Sequence, residues 1–581
     1  MTARVAAPLR PRSVRCVIAH AHRSIAVADA VAAGKFTHCG ITLDLGRTPD
    51  WHDLRLPADE EWRIEWTKFY FGLDLAHAFV VSSDQRYLRA WEGLVGSFSE
   101  QVPVGEDSSD VCARRIQNWV YAWDAFASAS SFRGLSPEFE SELLDSLADQ
   151  GRFIQEHLTP ERNHRTLELY ALLLVSLALP EVDTGISAQE ALDELGHNLL
   201  ADVLPDGVHR ERSTHYHLIA LRSFLGARAN AVDHGLVLPD GYDERLTAAC
   251  EFALHCHRPD GEIPALSDSD SGRYDDVLAF AAEQLGRSDF LYAATAGSAG
   301  DPPARRHANF PLGGYVVQRS GWGERADFRD ERFLIFDCGP LGDGGHGHYD
   351  ALSVEVAAGG RPLIVDPGRY TYAEGEPNLR RWFKSTAAHN TVCVDGLDQT
   401  PYRRGKPKGK AAECSLVSSS AAPGLEIVVG EVRSSCYDAV HTRRIAFVAD
   451  EYWLIEDVLV GGRRHRYDLR FHLAAETWGR TEVVGAAVRA PGLALVFAAE
   501  LEIQLESGWV APEYGVKCVA PVVSIAVEAL AATFLTLVMP REEGAPTPVL
   551  VRSGDGVEVR TDAWVDQVSL DRPRLMRRAA G

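Results

Sequence analysis

The feature that most constrains this chain is a change of hydrophobic period part-way along it. From roughly Trp62 to Tyr292, apolar residues fall three and four apart in helix-length stretches punctuated by Pro, Gly or Asp. Arg115 to Phe132, Pro137 to Leu158, Thr166 to Leu179, Ala188 to Leu204, Thr214 to His234 and Tyr242 to His257 are predicted helices. Consecutive helices with short links pack antiparallel, which leaves either a helical solenoid or a closed toroid of hairpins. After a small, Pro-containing segment from Thr295 to Asn309 the period drops to two. Phe333 to Asp337, Glu426 to Val432, Arg444 to Val448, Trp453 to Val458, Tyr467 to Leu473 and Thr533 to Met539 read as strands. Strands without intervening helices point to antiparallel sheets packed as a sandwich. The expected organisation is multidomain α+β: an N-terminal extension (1–50), a helical domain (51–305), an antiparallel β-sandwich (306–570) and a basic, loosely held tail (571–581).

A length of 581 residues exceeds what one hydrophobic core organises, in keeping with at least two domains. The net charge of −23 argues against a general nucleic-acid binder. No uninterrupted apolar run is long enough to span a bilayer. The N-terminus has arginines but no clean apolar core after them, so no secretory signal is read. Ten cysteines without regular spacing suit reduced thiols, and a cytoplasmic location is the expectation.

The densest chemistry lies in GPLGDGGHGHYDALSVEVAAGGRPLIVDPGRYTY, Gly339 to Tyr372, and in KSTAAHNTVCVDG, Lys384 to Gly396. A Gly-rich loop presents His346 and His348. An alternating run follows, then a Gly-Gly turn, a second strand ending at Asp366, and a third strand near His389. Strand ends and turns can bring such imidazoles and carboxylates together, and that ligand set suits zinc. Three helical stretches could also carry chemistry. Asn163 and His164 open an apolar helix, where Asn otherwise serves as an N-cap. Glu211, His215, Tyr216 and His217 precede another helix. Arg115, Asn118 and Trp119 could line a sugar cleft, or Trp119 could pack as core. In PALSDSDSGR, Asp268 and Asp270 are readable as the paired carboxylates of a glycoside hydrolase or as turn-forming residues.

The GHGHYDALSVEVAAGGRPLIVDPGRYTY and STAAHNTVCVDG segments closely resemble the signature of the heparinase II/III-like polysaccharide lyases. The resemblance runs from about Trp51 to the strands beyond Gly508. It implies an incomplete (α/α) toroid followed by a large antiparallel β-sandwich, with the active site in the cleft between them. It implies β-elimination on a uronic acid, with Tyr216 and His346 exchanging protons and Asn163 and His164 neutralising the substrate carboxylate. It also implies a zinc ion on His348, Asp366 and His389 that fixes the loop carrying His346. Asn118, Trp119, Glu211, His215, Tyr372 and Arg381 complete the expected substrate contacts, with Tyr370 the alternative to Tyr372.

Abstraction of the C5 proton adds negative charge beside the carboxylate, so donors aimed at the enolate-like transition state are required. Tyr and His are workable general acids and bases for the proton steps. The expected partner is an anionic polysaccharide or oligosaccharide, with a homodimer allowed for. Arg380, Arg381 and Lys384, and the run PYRRGKPKGK with Arg403, Arg404, Lys406, Lys408 and Lys410, offer a basic docking surface in an otherwise acidic chain. The alternatives are a catalytically silent glycan-binding or exopolysaccharide-biosynthesis protein of the same fold, and a hydrolase using Asp268 and Asp270.

Overall fold

The computed structural model describes residues 9–18, 23–324, 327–402, 409–499, 501–554 and 556–580. The basic positions 403–408 lie outside the described residues. The chain forms two compact units, Met1–Asp202 with Ile219–Leu246, and Val203–Leu218 with Thr247–Gly581.

The first unit is helical. Pro137–Glu156, Arg162–Ala178 and Ala188–Asp202 sit within a few residues of their expected bounds, and Ser109–Ser128 starts six residues before the expected Arg115. Local signals account for the starts: Pro137 occupies the first turn while the Ser136 side chain accepts from the Phe139 amide. Packing is strongly aromatic. Trp51 stacks on Trp66 with ring centroids 4.0 Å apart, and both are fully buried.

The second unit holds the sheets. A five-stranded antiparallel sheet runs Ala308–Phe310, Tyr315–Arg319, Phe333–Asp337, Val354–Ala358, Arg361–Ile364 in that order. A ten-stranded sheet is built around two long strands, Tyr452–His472 and Val516–Pro540. A four-stranded sheet closes the chain.

Alternation along the central strands explains the layering. Ile445, Phe447, Trp453 and Ile455 pack with Leu334, Phe336, Leu352 and Val354 of the five-stranded side. Their neighbours Ala446, Val448, Tyr452 and Leu454 pack with Leu550, Val557, Val559 and Val568 of the four-stranded side. The ten-stranded sheet is therefore buried on both faces there, and its strands read as continuous apolar runs.

Two expectations are corrected. The runs Trp453 to Val458 and Tyr467 to Leu473 belong to one strand, joined across a register shift between Val460 and His465. The intervening Gly and Arg residues hid the continuity, because they are largely exposed and carry no apolar alternation. The C-terminus is not a loose tail. Arg574–Ala579 pairs with Trp564–Ser569, and Arg577 bridges the buried Asp566 and Glu451. A fully buried carboxylate at Asp566 is offset by that arginine, so Arg577 is structural.

Candidate functional site

The site is assembled from segments of the second unit that are far apart in sequence. Phe333–Asp337 exits into the loop carrying His346 and His348. That loop lies tightly on the segment before Tyr216: a Cβ on Gly342 would stand 2.1 Å from the Glu211 carbonyl oxygen. Lys384 is buried and donates from Nζ to the Gly345 carbonyl at 2.6 Å. Burial pushes its ammonium down to about 8.

Tyr216 lies in the first turn of helix Thr214–Asp233, where its amide meets the Ser213 hydroxyl. The same hydroxyl donates to the Asp268 carbonyl at 2.7 Å, and the Asp268 amide donates to the His346 carbonyl at 3.1 Å. Three distant segments are thus laced together through the backbone of Asp268. The Tyr216 and His346 rings approach to a centroid separation of 3.9 Å. The Tyr216 hydroxyl shares a hydrogen bond with the Tyr372 hydroxyl at 2.7 Å, and Arg369 Nη1 donates to Tyr372 at 2.6 Å. Burial, reinforced by neighbouring Tyr372, raises the Tyr216 phenol well above its ordinary range. Burial also lifts Tyr372, to about 12, although Arg369 opposes it. Both phenols are neutral at pH 7.

His346 is the partly open member, with its side chain 19% exposed. Its Nδ1 lies 3.0 Å from Asp268 Oδ2, and its Nε2 lies 3.8 Å from the buried Glu211 carboxylate. His215 packs edge-on against Tyr216. Behind this pair lies a buried metal-type cluster: one ligand atom each from His348, Asp350 and His389, all within 4.8 Å of one another. His348 Nδ1, His389 Nε2 and Asp350 Oδ2 are buried without a hydrogen-bond partner, the condition a cation would satisfy. Asp366 Oδ2 lies 2.8 Å from the other nitrogen of His389. Burial drives His348 down to about 3, whereas Asp366 overcomes burial and raises His389. Both imidazoles suit a cation, His348 by staying neutral and His389 by its carboxylate partner.

Several of the expected contacts belong to the first unit. Trp119 is 1% exposed and packs edge-on against Phe69 and Phe98, so it is core of the first unit and not cleft lining. Asn118 is fully buried and donates to the Lys68 carbonyl. Asn163 is buried one residue inside helix Arg162–Ala178, with Glu161 in the cap position, while His164 is exposed. Of the basic residues expected to form a docking surface, Arg380 and Lys384 are interior. Arg381 is exposed, lying over the Tyr402 ring, and Lys410 is exposed and paired with Glu413.

Asp268 and Asp270 are not a free acid–base pair. Asp268 is clamped by Arg380 and Asp270 by Arg369. Burial alone would raise the Asp268 carboxyl, but Arg380 and two imidazole contacts hold it well below the usual range. It therefore has no proton to give at neutral pH.

Sequence reasoning missed Asp268 as an anchor, along with Arg369, Arg380 and Asp350. For Asp350 and Arg369 a signal existed, since they stand inside the GHGHYD and VDPGRY segments. For Asp268 none did: its partners are 78 to 112 residues away.

With this geometry in hand, comparison with known proteins decides the family. The model described as Heparinase II/III N-terminus matches residues 12–285, and Heparinase II/III-like, C-terminal matches residues 302–543. The chain belongs to the heparinase II/III-like family.

Among its heparinase-like relatives, a heparin-sulfate lyase of Bacteroides stercoris is 25% identical over 439 residues. That match covers 73% of this chain and 62% of the relative. A heparin-sulfate lyase of Pedobacter heparinus is 23% identical, covering 72% and 63%. The chain thus spans less than two thirds of the length of these curated relatives. A solved heparinase III matches with TM-score 0.79 at 19% identity, covering 98% of this chain and 92% of that one. A heparan sulfate lyase mutant of Pedobacter heparinus matches with TM-score 0.70 at 19% identity and the same coverage. The heparinase fold, helical region first and antiparallel sheets after, is the fold of this chain.

Proposed function

We propose that the protein is a polysaccharide lyase that cleaves a uronate-containing glycan by β-elimination. The observation that carries this reading is the contact of the Tyr216 and His346 rings at 3.9 Å, with His346 partly open to solvent. Two groups able to move protons stand side by side, as removal of the C5 proton and protonation of the C4 oxygen require. The electron pair of the C5–H bond becomes the C4–C5 double bond, and the C4–O bond breaks. Tyr216 and His346 divide the two proton transfers. Arg369, through Tyr372, places positive charge beside the phenol, which favours a transient phenolate.

Two imidazoles, His348 and His389, flanked by the carboxylates of Asp350 and Asp366, would hold zinc. When bound, the ion would supply a fixed charge that braces the histidine loop. The hydrolase alternative has no support here, since both candidate carboxylates are committed to arginines.

The relatives' names make heparan sulfate the first glycan to try, followed by alginate, hyaluronan and glucuronan. A rise in ultraviolet absorbance from the conjugated double bond is the expected result. New reducing ends without that absorbance would overturn the lyase reading. Glycan binding that Tyr216→Phe leaves unchanged, with no product from the wild type, would identify a silent binding protein.

A further inference from the structure

We propose that Asp268 is a positioning residue for both functional histidines, fixing opposite tautomers in His346 and His348 through its two carboxylate oxygens. The inference deepens the lyase reading and rests on it only for the role of His346.

An ionised carboxylate accepts and never donates, and has about four lone-pair sites. At Asp268, Oδ1 faces Arg380 Nη1 and His348 Nε2 (2.9 Å), while Oδ2 faces Arg380 Nη2 (2.7 Å) and His346 Nδ1 (3.0 Å). All the sites are used, and the residue is fully buried, so no water relieves a mismatch. Each imidazole nitrogen that faces Asp268 must therefore carry a hydrogen.

The consequences differ for the two rings. His346 donates from Nδ1, which leaves Nε2 to exchange a proton with a substrate. His348 donates from Nε2, which leaves the Nδ1 lone pair pointing at the cluster with His389 and Asp350, where it is buried and unpartnered. One carboxylate so prepares a proton-transfer nitrogen on one side and a metal-binding nitrogen on the other. The backbone of Asp268 is held independently, by the Ser213 hydroxyl on its carbonyl and the His346 carbonyl on its amide. The carboxylate cannot drift toward one ring without losing the other.

The test uses the full chain. In wild-type protein with nitrogen-labelled histidine, imidazole nitrogen shifts are expected to show His346 protonated at Nδ1 and His348 at Nε2. Either opposite tautomer overturns the proposal, and this arm needs neither a variant nor a turnover assay. Asp268→Asn substitutes an amide NH2 for one acceptor and so opposes one of the donors. Zinc affinity of the metal-free variant, measured by competition with a chromophoric chelator, is expected to fall about 10- to 100-fold.

With zinc saturating, kcat is expected to fall by about 100-fold or more, while KM stays within about threefold. Unchanged zinc affinity overturns the role at His348. Wild-type kcat restored by zinc alone overturns the role at His346. If the variant does not fold, the labelled wild-type spectra decide. Inactivity of the wild type on every glycan would count against the lyase reading while leaving the tautomer and zinc results to stand.

Discussion

The second unit contains two buried aspartates that look alike on paper and behave differently. Asp268 is held by Arg380 and touches His346 and His348. Asp457 is held by Arg443 and touches His441 at 2.7 Å. In both, burial would raise the carboxyl, and the arginine with its imidazole neighbours brings it below its usual range. The difference lies around them. At Asp457 the carboxylate and arginine are fully buried and the imidazole nearly so, and Arg443 also donates to the carbonyls of Leu352 and Asn390, pinning strands together. At Asp268 one imidazole is partly open and packs against a tyrosine ring, and the other points into a group of unpartnered ligand atoms. The same triad of residue types is a rivet where it is closed on all sides, and a site where one side is left open.

Tyr216→Phe should produce the largest effect that can sharpen this contrast. Turnover is expected to fall about 1,000-fold, with the thermal midpoint within about 2 °C of wild type. Retained turnover would move the chemistry off the phenol. Asp457→Asn is the counterpart: a loss of roughly 3–5 kcal/mol in urea unfolding, with kcat of the folded fraction within about twofold. If its cost appeared in kcat and not in stability, the rivet reading would fail.

Metal exchange comes next. Zinc at about 100 times its dissociation constant should stabilise the metal-free protein by about 2.7 kcal/mol, and His389→Ala should abolish that gain in a thermal scan.

The pH dependence follows from His217, His255 and His257, pushed by burial to about 3, 3 and 4. Their folded values lie below the unfolded 6.5, so the unfolded chain takes up protons first as pH falls. Stability present above about pH 6.5 is therefore lost toward the folded values, by about 2 kcal/mol per histidine at pH 5. Urea midpoints that stay flat between pH 7 and 5 would show these rings reaching solvent. Arg381→Ala should do least. As an exposed side chain, it is expected to change KM by less than about threefold.

Much of the fold was legible because period and punctuation are local. Pro137 and Ser136 announce a helix start, and Phe333 to Asp337 is a strand with the bounds observed. The histidine loop was legible too, since its residues cluster in one segment. What escaped were roles set by distance. The clamp on Asp268 joins four segments, and a Ser/Asp loop gives no local hint that one of its carboxylates will be sealed under an arginine. Arg380 and Arg381 are equivalent in sequence and opposite in placement, because a one-residue step on a short helix turns the side chain by about 100°. Trp119 was ambiguous because its spacing of four from Trp123 marks a buried face whether or not a ligand lies against it.

The hydroxyl of Tyr372 resting on that of Tyr216 has a consequence for selectivity. A sugar oxygen that engages Tyr216 finds the seat already taken and must evict its occupant, so that hydrogen bond is traded and not gained. On the lyase proposal, discrimination among glycans then falls to groups further along the chain of sugars, and short fragments should compete poorly with long ones.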